Sequence, residues 1–162
     1  MRTAALAVVL LLPLTASAIT VRSVIRAGDP VPGGGTVTRV IDSAVDSTGR
    51  HIAINVLAVV PGVTGETVVL LFWNDGDLET LARTGDALPG TTHPYGRAYL
   101  MQVNALGHLA LSEDGRVFLY EGTTFREVIG PDFAPPGGFQ FVSLRALNDN
   151  DDLLFSAAEP RP

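Results

Sequence analysis

Near the C-terminus, Asn148 and the four side chains after it, Asp149, Asn150, Asp151 and Asp152, all bear oxygen and stand between Ala146-Leu147 and Leu153-Leu154-Phe155. Clustered carboxylates do two kinds of chemistry: they hold a hard cation such as calcium, or they share protons in acid–base catalysis. An EF-hand calcium loop needs oxygen ligands at alternate positions, glycine at the sixth and glutamate at the twelfth. Counted from Asp149, the fifth and sixth positions are Leu153 and Leu154 and the twelfth is Pro160, so that motif fails. The stretch reads as a hairpin turn. Asp149, Asp151 and Asp152 are the candidate ligands should calcium bind there, and no other cofactor is indicated.

The imidazoles His51, His93 and His108 are the other residues able to transfer a proton or ligate a metal near neutral pH. They are far apart in the chain and form neither a His-x-His nor a His-Glu-x-x-His pair, and no Gly-x-Ser-x-Gly elbow accompanies them. No catalytic residue is therefore assigned. Gly33-Gly34-Gly35 would suit a phosphate only if a helix followed, and Thr36–Ile41 has the composition of a strand. The segment His93-Pro94-Tyr95-Gly96-Arg97, with Tyr99, is rich in residue types common at recognition surfaces. His93, Tyr95, Arg97 and Tyr99 are the candidate binding residues, together with Trp73 beside the Asn74-Asp75-Gly76 turn. The alternative is a loop that only covers the core.

The elements that must position these groups are strands. Val45-Asp46-Ser47-Thr48-Gly49-Arg50-His51, Val103-Asn104-Ala105-Leu106-Gly107-His108 and Leu147-Asn148-Asp149-Asn150-Asp151-Asp152 share one form: an apolar residue, Asx, then Gly or Asp, then an apolar run. Asx bonds its own backbone two residues on, and glycine accepts a positive φ, so each is a turn between strands. Asn74–Asp77 and Glu121–Thr124 lie between further apolar runs and read as hairpins. A third recurring segment joins these units: Arg26–Gly34 matches Arg83–Thr91, with a looser copy at Gly130–Gly138. Period-two alternation dominates throughout. The expected fold is all-β, with about 11 antiparallel strands in hairpin repeats, propeller-like but with too few blades to close. Two packed twisted sheets are the alternative. Within that count Thr20–Arg26 is a lone fourth strand and Leu153–Ala158 the last.

Composition bounds the compartment. Arg2, the apolar run Ala4–Leu14 and Ala16-Ser17-Ala18 occur in the order of a secretory signal peptide, cleaved after Ala18. The expected organisation is a leader over residues 1–18 and a β-repeat domain over 19–162, exported to the periplasm or beyond the cell. There is no cysteine, so such a domain relies on packing rather than disulfides. The formal charge is −6, every basic residue is arginine, and no basic stripe runs along the chain, which argues against nucleic acid. No second apolar stretch after the leader is long enough to cross a bilayer as a helix.

Gly28-Asp29-Pro30-Val31-Pro32-Gly33-Gly34, Val103-Asn104-Ala105-Leu106-Gly107 and Ala146-Leu147-Asn148 resemble the tandem repeats of secreted bacterial proteins with GDPxPGG and ALNxxGxVAFxA motifs, which often carry C-terminal sorting anchors. The chain departs from them in having Asp151 at the turn-glycine position and no anchor after Pro162. The resemblance implies no catalytic residues. The expected function is that of an exported non-catalytic β-repeat protein with a binding, surface-display or scaffold role, for an unspecified ligand or protein. An exported hydrolase or lyase on a propeller-like fold, and a truncated fragment, are the alternatives. An unpaired terminal strand would favour self-association through its edge.

Overall fold

The computed structural model describes residues 23–130, 132–133 and 140–158. Residues 1–22, most of the third Gly-Pro segment and the last four residues lie outside the described residues. The described chain is all-β, with strands in three antiparallel sheets. The first is a meander of β1 (Thr36–Val45), β2 (His51–Val59), β3 (Glu66–Asn74) and β4 (Asp77–Arg83). The second is an equivalent meander of β5 (Leu100–Val103), β6 (Leu109–Glu113), β7 (Arg116–Tyr120) and β8 (Phe125–Ile129). The third pairs β9 (Gln140–Leu147) with β10 (Leu153–Ala158). The sheets do not close into a barrel.

Each Asx turn expected from the sequence joins a first strand to a second, and Asn74–Asp77 and Glu121–Thr124 join third to fourth. The two Gly-Asp segments fold alike. Asp29 N–H donates to Arg26 O and Asp86 N–H to Arg83 O, while the buried Val31 and Leu88 each accept through their carbonyls from three residues on. Isolated bridges Pro30–Thr36 and Ala87–Pro94 close the two loops.

Of the expected lone strand Thr20–Arg26, residues 20–22 lie outside the described residues. Ser23–Arg26 forms no ladder, and ten strands rather than eleven occur among the described residues. This segment instead packs through its side chains on one face of the first sheet. Val24 and Ile25 pack with Ile52 against the cluster of Ile54, Val56, Val69 and Leu71.

Sheets stack face to face, so their central strands are buried on both sides. Between the first two sheets lie Ala53, Leu70 and Phe72 from one and Leu109, Leu111, Phe118 and Tyr120 from the other. The opposite face of the second sheet, Ala110, Val117 and Leu119, packs on Leu144 of the third. Period-two alternation is therefore interrupted in β6, where every residue from Leu109 to Glu113 is buried. The first strands β1, β5 and β9 are neighbours, each forming one edge of its own sheet.

Candidate functional site

The joints between sheets are polar as well as apolar. Asp46 accepts from the backbone of Arg50 and from Thr48, and contacts His51 Nδ1 at 3.0 Å. Burial pushes the Asp46 carboxyl up, but the bonds from Thr48 and His51 outweigh it and hold the group below the ordinary carboxylate range. The His51 ring covers Gly107 of the next sheet's turn: a Cβ there would lie 2.9 Å from His51 Cδ2. One sheet further on, Asn104 Oδ1 accepts from Leu106 and His108 N–H, and its amide donates to Asn148 O and Asp151 Oδ1. His108 Nδ1 lies 2.8 Å from that same Asp151 oxygen. Asn148 repeats the local pattern with Asn150 and Asp152.

The candidate calcium ligands are all engaged at the last of these turns. Asp149 takes Ala105 N–H, Asp151 faces His108 and Asn104, and Asp152 takes the Asn148 amide. Asp151 has φ +63°, the left-handed region its aligned glycine would adopt freely.

The loop between β4 and β5 gathers a second polar group at the opposite ends of the strands. Tyr95 is buried, its hydroxyl donating to Asn55 Oδ1 on β2 and accepting from Ala98 N–H. Burial first, and the nearby Glu113 and Asp42 charges after it, push its phenol far above the ordinary range, so it stays a neutral donor. The Asn55 amide in turn donates to Ala98 O at 3.1 Å, which stitches the loop to the first sheet. Gly96 and Arg97 N–H both donate to Glu113 Oε1 at the end of β6. A side chain at Gly96 would put its Cβ 2.8 Å from that oxygen, so any larger residue there would displace the carboxylate. Burial raises the Asp42 carboxyl despite the Asn55 hydrogen bond and the Arg97 guanidinium 3.9 Å away.

Of the residues expected to bind, His93, Tyr95 and Arg97 converge around Glu113, whereas Tyr99 projects at 65% exposure and Trp73 stands apart. Trp73 lines a groove with Val24, Thr48 and Arg50 on the first sheet. The His93 ring packs on Phe118, centroids 4.9 Å apart, and its Nε2 is 3.9 Å from Glu113 Oε2. No motif in the sequence marks Glu113, Asp114, Asp42 or Asn55 as site residues. The Asp-Gly pair in Glu113-Asp114-Gly115-Arg116 signals the β6–β7 hairpin, but nothing in a β-strand pattern says that its preceding glutamate is buried.

No curated protein and no solved structure matches the chain. A model of a family described as a family of unknown function (DUF7453) matches residues 12–127, most of the sequence, and the chain belongs to that family.

Proposed function

We propose that this is an exported, non-catalytic β-repeat protein that binds a partner along the row of its first strands. The supporting observation is the surface of that row. β1 and β5 are adjacent edge strands, and Val40, Tyr99 and Leu100 stand exposed on or beside them, flanked by the Arg97–Asp42 pair. Exposed aromatic and apolar side chains with an arginine at the rim suit a protein or polymer surface. The histidines and carboxylates of the Asx turns serve the joints: His51 and His108 each face a carboxylate within their stack. That use fits a repeat scaffold in which each unit is stabilised by its neighbour. The apolar leader Ala4–Leu14 with Ala16-Ser17-Ala18 supports export, and the tandem-repeat resemblance supports display at the cell surface.

Two measurements test the proposal. N-terminal sequencing of the exported protein should begin at Ile19, and retention of Met1 counts against export. Co-sedimentation with isolated envelope material from the producing cells should retain the wild type and release a Tyr99→Ser/Leu100→Ser variant. Equal retention of both, or of neither, refutes the binding face.

A further inference from the structure

We propose that His93, Glu113 and Asp114 form a binding site for a divalent transition cation, zinc being the best fit. The three side chains each bring a ligand atom within 4.8 Å of the others. Glu113 is 2% exposed, and its Oε2 is buried without a hydrogen-bond partner; so is His93 Nε2, the atom it faces. A buried carboxylate oxygen and an imidazole nitrogen left unbonded side by side need a compensating group. At 3.9 Å they are too far apart to hydrogen-bond each other. An ion about 2.1 Å from each donor in tetrahedral geometry holds them about 3.4 Å apart, so a closure of about half an ångström completes the contact.

The surroundings orient the donors. Glu113 Oε1 is anchored by two backbone N–H groups, from Gly96 and Arg97, which leaves Oε2 turned to His93. The imidazole is held by its tilted packing on the Phe118 ring, and its backbone by Leu88 N–H to His93 O at 2.9 Å and by His93 N–H to Thr91 Oγ1. Asp114 sits at φ +48° in the β6–β7 turn and is exposed, giving the ion a path from solvent. Anchored ligands of this kind are what a metal site requires beyond the donors themselves. One imidazole with two carboxylates favours a borderline cation over calcium, which takes six to eight oxygens. Three protein donors leave one tetrahedral position for water or an external ligand.

The test is calorimetric titration of the untagged, chelator-stripped protein with zinc, and separately with calcium, together with the visible spectrum of its cobalt form. Wild type should bind one equivalent of zinc with micromolar or tighter affinity, prefer it to calcium, and give the intense absorption of tetrahedral cobalt. Asp114→Asn keeps the turn, since asparagine tolerates a positive φ, and should weaken zinc by about tenfold or more while the metal-free melting temperature is unchanged. His93→Gln should abolish the cobalt spectrum, whereas His51→Gln and His108→Gln should leave it intact. Absence of zinc binding, preference for calcium, or full binding by both Asp114→Asn and His93→Gln overturns the site.

Discussion

Replacing Asp151 with glycine sets two effects of opposite sign against each other. Asp151 occupies a turn position with φ +63°, where glycine is preferred over aspartate by roughly 0.5–1 kcal/mol. Backbone considerations alone make Asp151→Gly stabilising, and the aligned turns already carry Gly49 and Gly107. Against this, Asp151 Oδ1 lies 2.8 Å from His108 Nδ1 and 2.9 Å from the Asn104 amide across the sheet joint. A hydrogen bond to a charged group contributes about 1.5–3 kcal/mol when buried, but both partners here are 25% exposed, which lowers it to about 1–2 kcal/mol. Losing the second bond adds about 0.5 kcal/mol, because Asn104 keeps its bond to Asn148 O. The joint wins: Asp151→Gly should destabilise by about 0.5–2 kcal/mol, or about 1–8 °C in melting temperature for a domain of this size. Urea denaturation of the single and double variants with His108→Gln gives the coupling energy, expected at about 1 kcal/mol. Asp151→Asn, which keeps an acceptor and tolerates the turn, should lose about half as much. Stabilisation by Asp151→Gly, or a coupling near zero, would falsify the claim that this side chain joins the two sheets.

Gly107→Ala should cost more than Gly49→Ala, by about 1–2 kcal/mol in parallel denaturation, since the two turns share φ near +75° but only at Gly107 does a Cβ meet the His51 ring. Equal losses would show that the ring moves aside freely. Tyr95→Phe should destabilise by about 1–3 kcal/mol, because it leaves the buried Asn55 Oδ1 without its donor; thermal melts read this, and a neutral outcome would mean that the loop is not held by that bond. Asp46 is held below its ordinary value of 3.8, so its stabilisation is present above that pH and is lost as the pH falls through it towards the lower folded value. Asp46→Asn should therefore flatten the acid limb of the stability curve below about pH 4, and an unchanged slope would remove Asp46 from the account.

Turns and strands were legible in the sequence because their causes are local. Asp46, Asn104 and Asn148 each bond the backbone a few residues on, so a turn follows from three or four adjacent residues wherever the chain goes. The same locality explains why Arg26–Gly34 and Arg83–Thr91, alike in sequence, make matching hydrogen bonds. What the chain does with its faces was decided only by packing. Val24 and Ile25 have strand composition yet form no ladder among the described residues, because they pack on the face of the first sheet instead. β6 is buried throughout because sheets cover both its faces, a property of neighbours distant in sequence. The loop from His93 to Arg97 could be singled out by residue type, but its outcome could not. Tyr95 turned inward to Asn55, forty positions earlier, and His93 came to lie against Glu113, on a different strand. Contacts between residues so far apart leave no periodic trace in either segment, and the burial that gives them their chemistry exists only once the sheets have stacked.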